Sequence, residues 1–243
     1  MLLDLLPSLR ARGWLLTLAS ASPRRIDILR SAGLGELVEV SPSSWPEALD
    51  ASTFLSAGAY AAVNARAKAL DVACSKSAGE GSWSAVLGCD SVVAVGGCVL
   101  EKPLDSGHAA RMLARLSGGE SAVVTACALV LRYAPTAAAA AALGATRVEL
   151  SEGGCEATVV EWQETTTVRF AVLPQALIDA YVAQESAWAG KAGGYGIQDI
   201  AASFIEGIHG DYYNVMGLPL ASLCGRLRMV LQEESREEEA ARV

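Results

Sequence analysis

Apolar and polar positions alternate along the chain in runs that predict short strands and helices in a mixed order. Residues 15–19 are apolar but for Thr17 and predict a buried strand. Ser20-Ala21-Ser22 makes a turn, and PRRIDILRSAG then predicts a helix. Ser22 suits its N-cap, Pro23 its first helical position and Gly33 its C-terminal stop, while Ile26, Ile28 and Leu29 give an apolar side. Further on come a strand at 38–40, a long alanine-rich helix at 54–73, a surface loop at 74–84 and an apolar strand from 85 that ends at Gly88-Cys89-Asp90-Ser91. Residues 91–95 and 98–100 flank Gly96-Gly97 as a hairpin. An amphipathic helix at 106–116 stops at Gly118-Gly119, and a strand follows at 121–133. Residues 134–157, with an alanine run, predict a mobile insertion. A strand at 159–170, a helix at 174–184, strands and turns at 193–205 and 208–215, and a last helix at 218–231 complete the chain. Strands and helices mix without a strict βαβ rhythm, which predicts an α/β fold with a mixed sheet.

Composition narrows the class. With 243 residues and 52% apolar content, the chain can bury a sizeable core and is not generally disordered. The reading is one domain over 1–232 and an acidic tail over 233–243 that forms the solvated end of the last helix. No apolar stretch approaches the roughly 18 residues a membrane span needs. The N-terminal MLLDLLPSLRARGWLL places Asp4 and Pro7 ahead of its arginines, unlike a secretory signal, and reads as a short extension. A net charge of −8 argues against a nucleic-acid polymer as partner. Six cysteines without a C-x-x-C pair, and two histidines, argue against structural zinc and suit a cytoplasmic protein with reduced thiols.

Four segments could carry chemistry. Ser20-Ala21-Ser22-Pro23-Arg24-Arg25 joins a strand to a helix N-terminus, where free backbone N–H groups, two hydroxyls and two guanidiniums could seat phosphates; taken alone, it is more simply a capped helix with exposed arginines. Asp90 in Gly88-Cys89-Asp90-Ser91 stands where a strand-end carboxylate can bind Mg²⁺ or take a proton from water, or where an ordinary turn aspartate would stand. In Glu101-Lys102-Pro103 the lysine could offset phosphate charge; in isolation it is an exposed hairpin exit. Gly193-Gly194-Tyr195-Gly196-Ile197-Gln198 could bring backbone close to a ligand, with Gln198 offering donor and acceptor to a base edge, or could be a flexible loop. Glu47 and Lys68 are each one charge among apolar neighbours. The P-loop and dinucleotide glycine motifs are missing, and His108 and His209 alone support no Ser/His/Asp hydrolase.

Taken in order, LASASPRRIDILRSAGL, GCDSVV, LEKPLDSGHAARMLARLSG and AGGYGIQDIAASFIEGIHGDYYNVMGLPL resemble the Maf family of nucleotide pyrophosphatases over about residues 14–230, interrupted at 74–84 and 134–157. The resemblance implies a mixed sheet with flanking helices and two lobes around a cleft, like inosine triphosphate pyrophosphatase. It implies cleavage of a nucleoside triphosphate between the α and β phosphates with a divalent metal, Mg²⁺ or Mn²⁺, and is compatible with a homodimer. Asp90 matches the family's proton acceptor and Glu47 another cleft residue, and the metal is expected on these two carboxylates. Arg24, Ser91 and Gln198 match positions tied to substrate choice. Arg25, Lys68 and Lys102 match other cleft residues, and Ser20 and Ser22 of the phosphate-seating turn are expected to bind substrate with them. Arg24 (the N7-methyl-GTP group resembles SPWR over Ser22 to Arg25), Tyr195 to Gln198, which that group lacks, and Ser91, where it carries Gln, place the chain with the dTTP/UTP group. Two departures stand out: Ser91 where threonine is usual, and Asp199 where glycine is usual. The rival expectations are the same chemistry on N7-methyl-GTP, and a non-catalytic nucleotide-binding regulator of division.

Overall fold

The computed structural model describes residues 2–78, 83–133, 135, 137–150 and 156–240. In chain order the elements are α1 (Leu6–Ala11), β1 (Leu16–Leu18), α2 (Pro23–Ser31), β2 (Val38–Val40), α3 (Ala57–Ala78), β3 (Ala85–Val95), β4 (Cys98–Leu100), α4 (Ser106–Leu116), β5 (Glu120–Leu131), α5 (Ala137–Leu143), β6 (Thr146–Glu149), β7 (Glu156–Phe170), α6 (Gln175–Val182), α7 (Glu185–Trp188), β8 (Ile205–His209), α8 (Tyr212–Met216) and α9 (Leu220–Ala240). The strands form one mixed sheet in the order β2-β1-β3-β5-β7-β6, with β4 also on β3 and β8 also on β7. β1 is parallel to both β2 and β3, and the other pairings are antiparallel. The α/β expectation therefore holds.

Strand alternation sorts the core onto two faces. Ala85, Leu87 and Cys89 of β3 join a cluster with Ile28 and Leu29 of α2 and Leu223, Leu227 and Val230 of α9. Val86 and Val92 face clusters built with Ala61, Ala65, Ala69 and Val72 of α3. Gly88 lets α3 press close, because a methyl group there would lie 2.2 Å from the Ala65 carbonyl oxygen. A further cluster packs α4 and α6 on Val93, Val123, Val168 and Phe170.

The site follows from an interruption at one edge of β3. β1 pairs with it only at Ala85, Val86 and Leu87, and β4 pairs with it only at Val93, Ala94 and Val95. Between those partners, Gly88 to Val92 keep their pairing to β5 on the other edge alone. There the sheet opens, and Asp90 and Ser91, on alternate faces, both reach the gap.

Several local expectations are corrected. The N-terminal stretch, expected as a short extension, is built into the fold: Leu6 and Leu9 of α1, with Leu2 and Trp14 on either side of it, are buried in the main core. The helix expected at 54–73 starts at Ala57 and runs to Ala78, so the first part of the 74–84 loop is helical; 79–82 lie outside the described residues. Within 134–157 the alanine run folds as α5, as the residue with the highest helix propensity favours, and β6 pairs with β7; 134, 136 and 151–155 lie outside the described residues. Of the strands and turns expected at 193–205 and 208–215, the strand β8 forms at Ile205–His209; the rest is short 3-10 turns at Ala192–Gly194 and Ile200–Phe204 and the helix α8. The last helix continues into the acidic tail as far as Ala240, and 241–243 lie outside the described residues. No helix among the described residues is long and apolar enough to cross a membrane.

Candidate active site

A cleft of about 670 Å³ opens at the gap in β3. All ten sequence-predicted residues line it: Ser20, Ser22, Arg24 and Arg25 from the β1–α2 turn, Glu47 from the segment after β2, Lys68 from α3, Asp90 and Ser91 from β3, Lys102 after β4, and Gln198.

On the α3 side, one lysine ties two carboxylates. The buried Lys68 Nζ lies 2.7 Å from Asp90 Oδ1 and 2.6 Å from Glu47 Oε1. Glu47 Oε2 accepts a second ion pair from Lys102 Nζ at 2.8 Å. Burial alone would raise the Glu47 pKa, but the hydrogen bonds from Lys102 and Lys68 outweigh it and hold the carboxyl at about 2. Glu47 is therefore anionic throughout the neutral range. Asp90 Oδ2 makes no hydrogen bond among the described residues.

On the α2 side, Arg25 is spent on architecture. Its Nε donates to the Gly217 carbonyl at 2.7 Å, one terminal nitrogen to Ser20 Oγ at 2.9 Å and the other to Ser91 Oγ at 3.0 Å. Ser91 and Thr125 share a hydrogen bond of 2.9 Å, and Thr125 in turn donates to the Asn214 carbonyl. One arginine thus ties β1, β3 and the α8 end together. Arg24 differs: among the described residues it makes no hydrogen bond or ion pair, though it lines the same cleft. Burial lowers its pKa, Arg25 adds to that effect, and Asp199 opposes it. As a guanidinium it stays charged, so it is a cation at the cavity with no hydrogen-bonded counter-ion among the described residues. Ser22 occupies the N-cap position of α2, yet its side chain makes no capping hydrogen bond. The N-terminus of α2 and the Ser22 hydroxyl both remain directed at the cleft.

The glycine-rich wall is held from behind. Gly193 and Gly194 take φ of 68° and 74°, which side chains disfavour. Tyr181 Oη donates to the Ala187 and Gly194 carbonyls. Gln198 and Asp199 are exposed on the cleft side.

Sequence reasoning found the charged residues but missed their supports: Thr125, the Gly217 carbonyl, Lys191, and Tyr60, which donates to Glu101 beside a smaller cavity of about 160 Å³. Buried Thr, Tyr and backbone groups carry no local pattern that separates them from core residues.

Two acidic oxygen donors joined by one lysine, next to Arg24 and a helix N-terminus, suit an anionic ligand with several charges. Comparison with known proteins agrees. The model for Maf-like proteins matches residues 15–230. The dTTP/UTP pyrophosphatase of Salinibacter ruber is 41% identical over 216 residues, covering 88% of this chain and 89% of that protein. That of Pyrococcus furiosus is 34% identical over 203 residues, covering 84% and 88%. A probable bifunctional dTTP/UTP pyrophosphatase/methyltransferase protein of Homo sapiens is 39% identical over 211 residues, or 86% of this chain but only 31% of that larger protein. The chain belongs to the family of Maf-like proteins.

Proposed function

We propose that this protein hydrolyses dTTP and UTP to the monophosphate and pyrophosphate, acting as a cytoplasmic enzyme whose catalytic domain spans residues 1–232. The observation that carries this reading is the convergence of Asp90, Glu47, Lys68, Lys102 and the unpaired Arg24 on one cleft at the gap in β3. The names of the relatives supply the bases.

Arg24, Lys102 and the N–H groups at the start of α2 hold the triphosphate, and Ser22 adds a hydroxyl. Arg25 contributes by fixing Ser20 and Ser91 in place. Lys68 holds Asp90 through Oδ1, which leaves Oδ2 to accept a proton from the attacking water. Gln198 reads the base edge.

The residues present fit a divalent cation. Asp90 and Glu47 supply carboxylate oxygens, and Mg²⁺ or Mn²⁺ is commonly held by one or two carboxylates with the rest of its shell from phosphate and water. Among the described residues no cluster of three or more acidic, His or Cys side chains forms a protein-only metal site, in keeping with such a shared shell. Bound there, the cation would neutralise charge developing on the phosphates.

The test is pyrophosphate release from a panel of triphosphates with Mg²⁺ or Mn²⁺. Wild type is expected to release it from dTTP and UTP, and Asp90→Asn to lose about 10³-fold in kcat. Turnover by Asp90→Asn at the wild-type rate would remove Asp90 as base. Release confined to N7-methyl-GTP would keep the chemistry and overturn the base assignment.

A further inference from the structure

Lys191 and Asp199 take no part in the reaction as described, yet both line the cleft beside Gln198. Lys191 Nζ donates to the Ser186 carbonyl at 2.9 Å and the Ala187 carbonyl at 2.7 Å, and pairs with Asp199 Oδ2 at 2.7 Å. An ammonium has three donors, and all three are used. The lysine side chain is 12% exposed, the aspartate 40%. Backbone bonds fix the aspartate as well: its N–H donates to the Gly196 carbonyl and its own carbonyl accepts from Ala202. Gly196 makes room for the arrangement, since a methyl group there would lie 2.5 Å from Asp199 Oδ2. Oδ2 is therefore committed to Lys191, and Oδ1 has no hydrogen-bond partner among the described residues.

We propose that Asp199 is a specificity-determining residue whose free carboxylate oxygen accepts the ring N3–H of uracil or thymine, beside the amide of Gln198. The inference rests on the pyrimidine triphosphate reading above. A carboxylate only accepts, and a glutamine amide can both donate and accept. Uracil and thymine present acceptor, donor, acceptor along the edge O4, N3–H, O2, so Asp199 meets N3–H while the Gln198 amide donates to a flanking oxygen. Cytosine carries a lone pair at N3, which an anionic oxygen in that place repels. Lys191 acts as a positioning residue, because it decides which aspartate oxygen faces the base.

This arrangement makes Asp199→Asn informative. The variant has nearly the same shape. Lys191 still requires an acceptor, so it takes the amide oxygen and turns the NH₂ group to the base. An NH₂ group opposes the N3–H of uracil and suits the N3 lone pair of cytosine.

The experiment measures kcat/KM for UTP, CTP and N3-methyl-UTP with Mg²⁺ in wild type, Asp199→Asn and Asp199→Gly. Ratios between substrates within one variant do not depend on how much of the enzyme is folded. Wild type is expected to prefer UTP over N3-methyl-UTP by at least about tenfold, as a lost hydrogen bond to a charged group implies. In both variants that preference should fall to about threefold or less. In Asp199→Asn the UTP-to-CTP ratio should also fall by at least about tenfold. Unchanged ratios in both variants would overturn the role of Asp199 while leaving the pyrimidine reading intact. Wild-type enzyme that releases pyrophosphate from neither UTP nor dTTP would overturn both.

Discussion

Around Asp90 the cleft wall is built mainly on regular elements, with Arg25 from α2, Lys68 from α3 and Asp90 and Ser91 from β3 tied to their neighbours. Arg25 spans β1, β3 and the end of α8 with three hydrogen bonds, and Lys68 joins Asp90 to Glu47. Around Gln198 the wall is irregular chain, with Gly190, Gly193 and Gly194 at positive φ and with Gln198 and Asp199 exposed. On the function proposed above, the contrast matches two tasks. Groups that move protons or meet developing charge must be preorganised, so they sit on elements whose packing fixes them. Groups that discriminate bases need backbone close to the ligand, which glycine turns allow, and their fixation is added from behind by Lys191 and Tyr181.

The comparison breaks most visibly at Lys68. Lys68→Met would leave Asp90 without its ion-pair partner and Glu47 with Lys102 only. Removing the buried partner should destabilise the fold by about 3 kcal/mol, at the low end because Glu47 is 40% exposed. With Asp90 no longer held, kcat should fall about 10²-fold. Urea unfolding and pyrophosphate release measure the two effects. A variant with normal kcat would show that the wall around Asp90 is not held through Lys68.

Gln198→Ala addresses the other wall. Uniform binding is lost there, so KM for UTP should rise about tenfold with kcat within about threefold of wild type, and stability unchanged. If kcat instead fell as far as in Lys68→Met, the glycine-rich wall would be part of the chemistry and the division between the walls would fail.

Legibility in the sequence follows the same division. Ser20, Ser22, Arg24 and Arg25 lie in a short strand-to-turn segment where the change of hydrophobic period marks the strand end, so local pattern shows them as candidates; Asp90 and Ser91 are visible as polar residues in an apolar run, but the strand end expected there is corrected, because β3 runs on through them to Val95. Glu47 and Lys68 are not visible in this way. Lys68 lies in an alanine-rich helix, and nothing in its neighbourhood shows that α3 lies against Gly88 and carries it to Asp90; only resemblance singled it out. The fold class was legible from strand and helix periods. The N-terminal helix α1 was not, because its six residues are too few to show a helical repeat and Pro7, at its second position, reads as an interruption. The helix α5 and strand β6 were hidden by low complexity, since an alanine run shows no amphipathic face although it favours helix. Partners such as Thr125, Asn214 and the Gly217 carbonyl are set by strand register and by the α8 turn, which are long-range facts.

Glu47 is the case that sharpens the contrast, because it serves the reacting wall from irregular chain. Its segment is fastened to α3 at two points. Asp71 accepts from the Ser43 hydroxyl at 2.7 Å, the Ser44 N–H at 2.7 Å and the Ser44 hydroxyl, while Trp45 Nε1 donates to Asn64 Oδ1 at 3.1 Å. Asn64 is 1% exposed, so its oxygen has no easy recourse to water. Trp45→Phe keeps an aromatic ring and deletes that one donor. It should cost about 1 kcal/mol of stability, with the Asp71 fastening intact. Glu47 would then keep its two lysines but lose part of its tether, and pyrophosphate release should fall only about threefold, the equivalent of well under 1 kcal/mol. A fall of a hundredfold would mean that the segment is held as rigidly as β3 and depends on a single indole N–H. No change at all would mean that the Asp71 cluster suffices, and that the lysines, not the segment, decide where the Glu47 carboxylate stands.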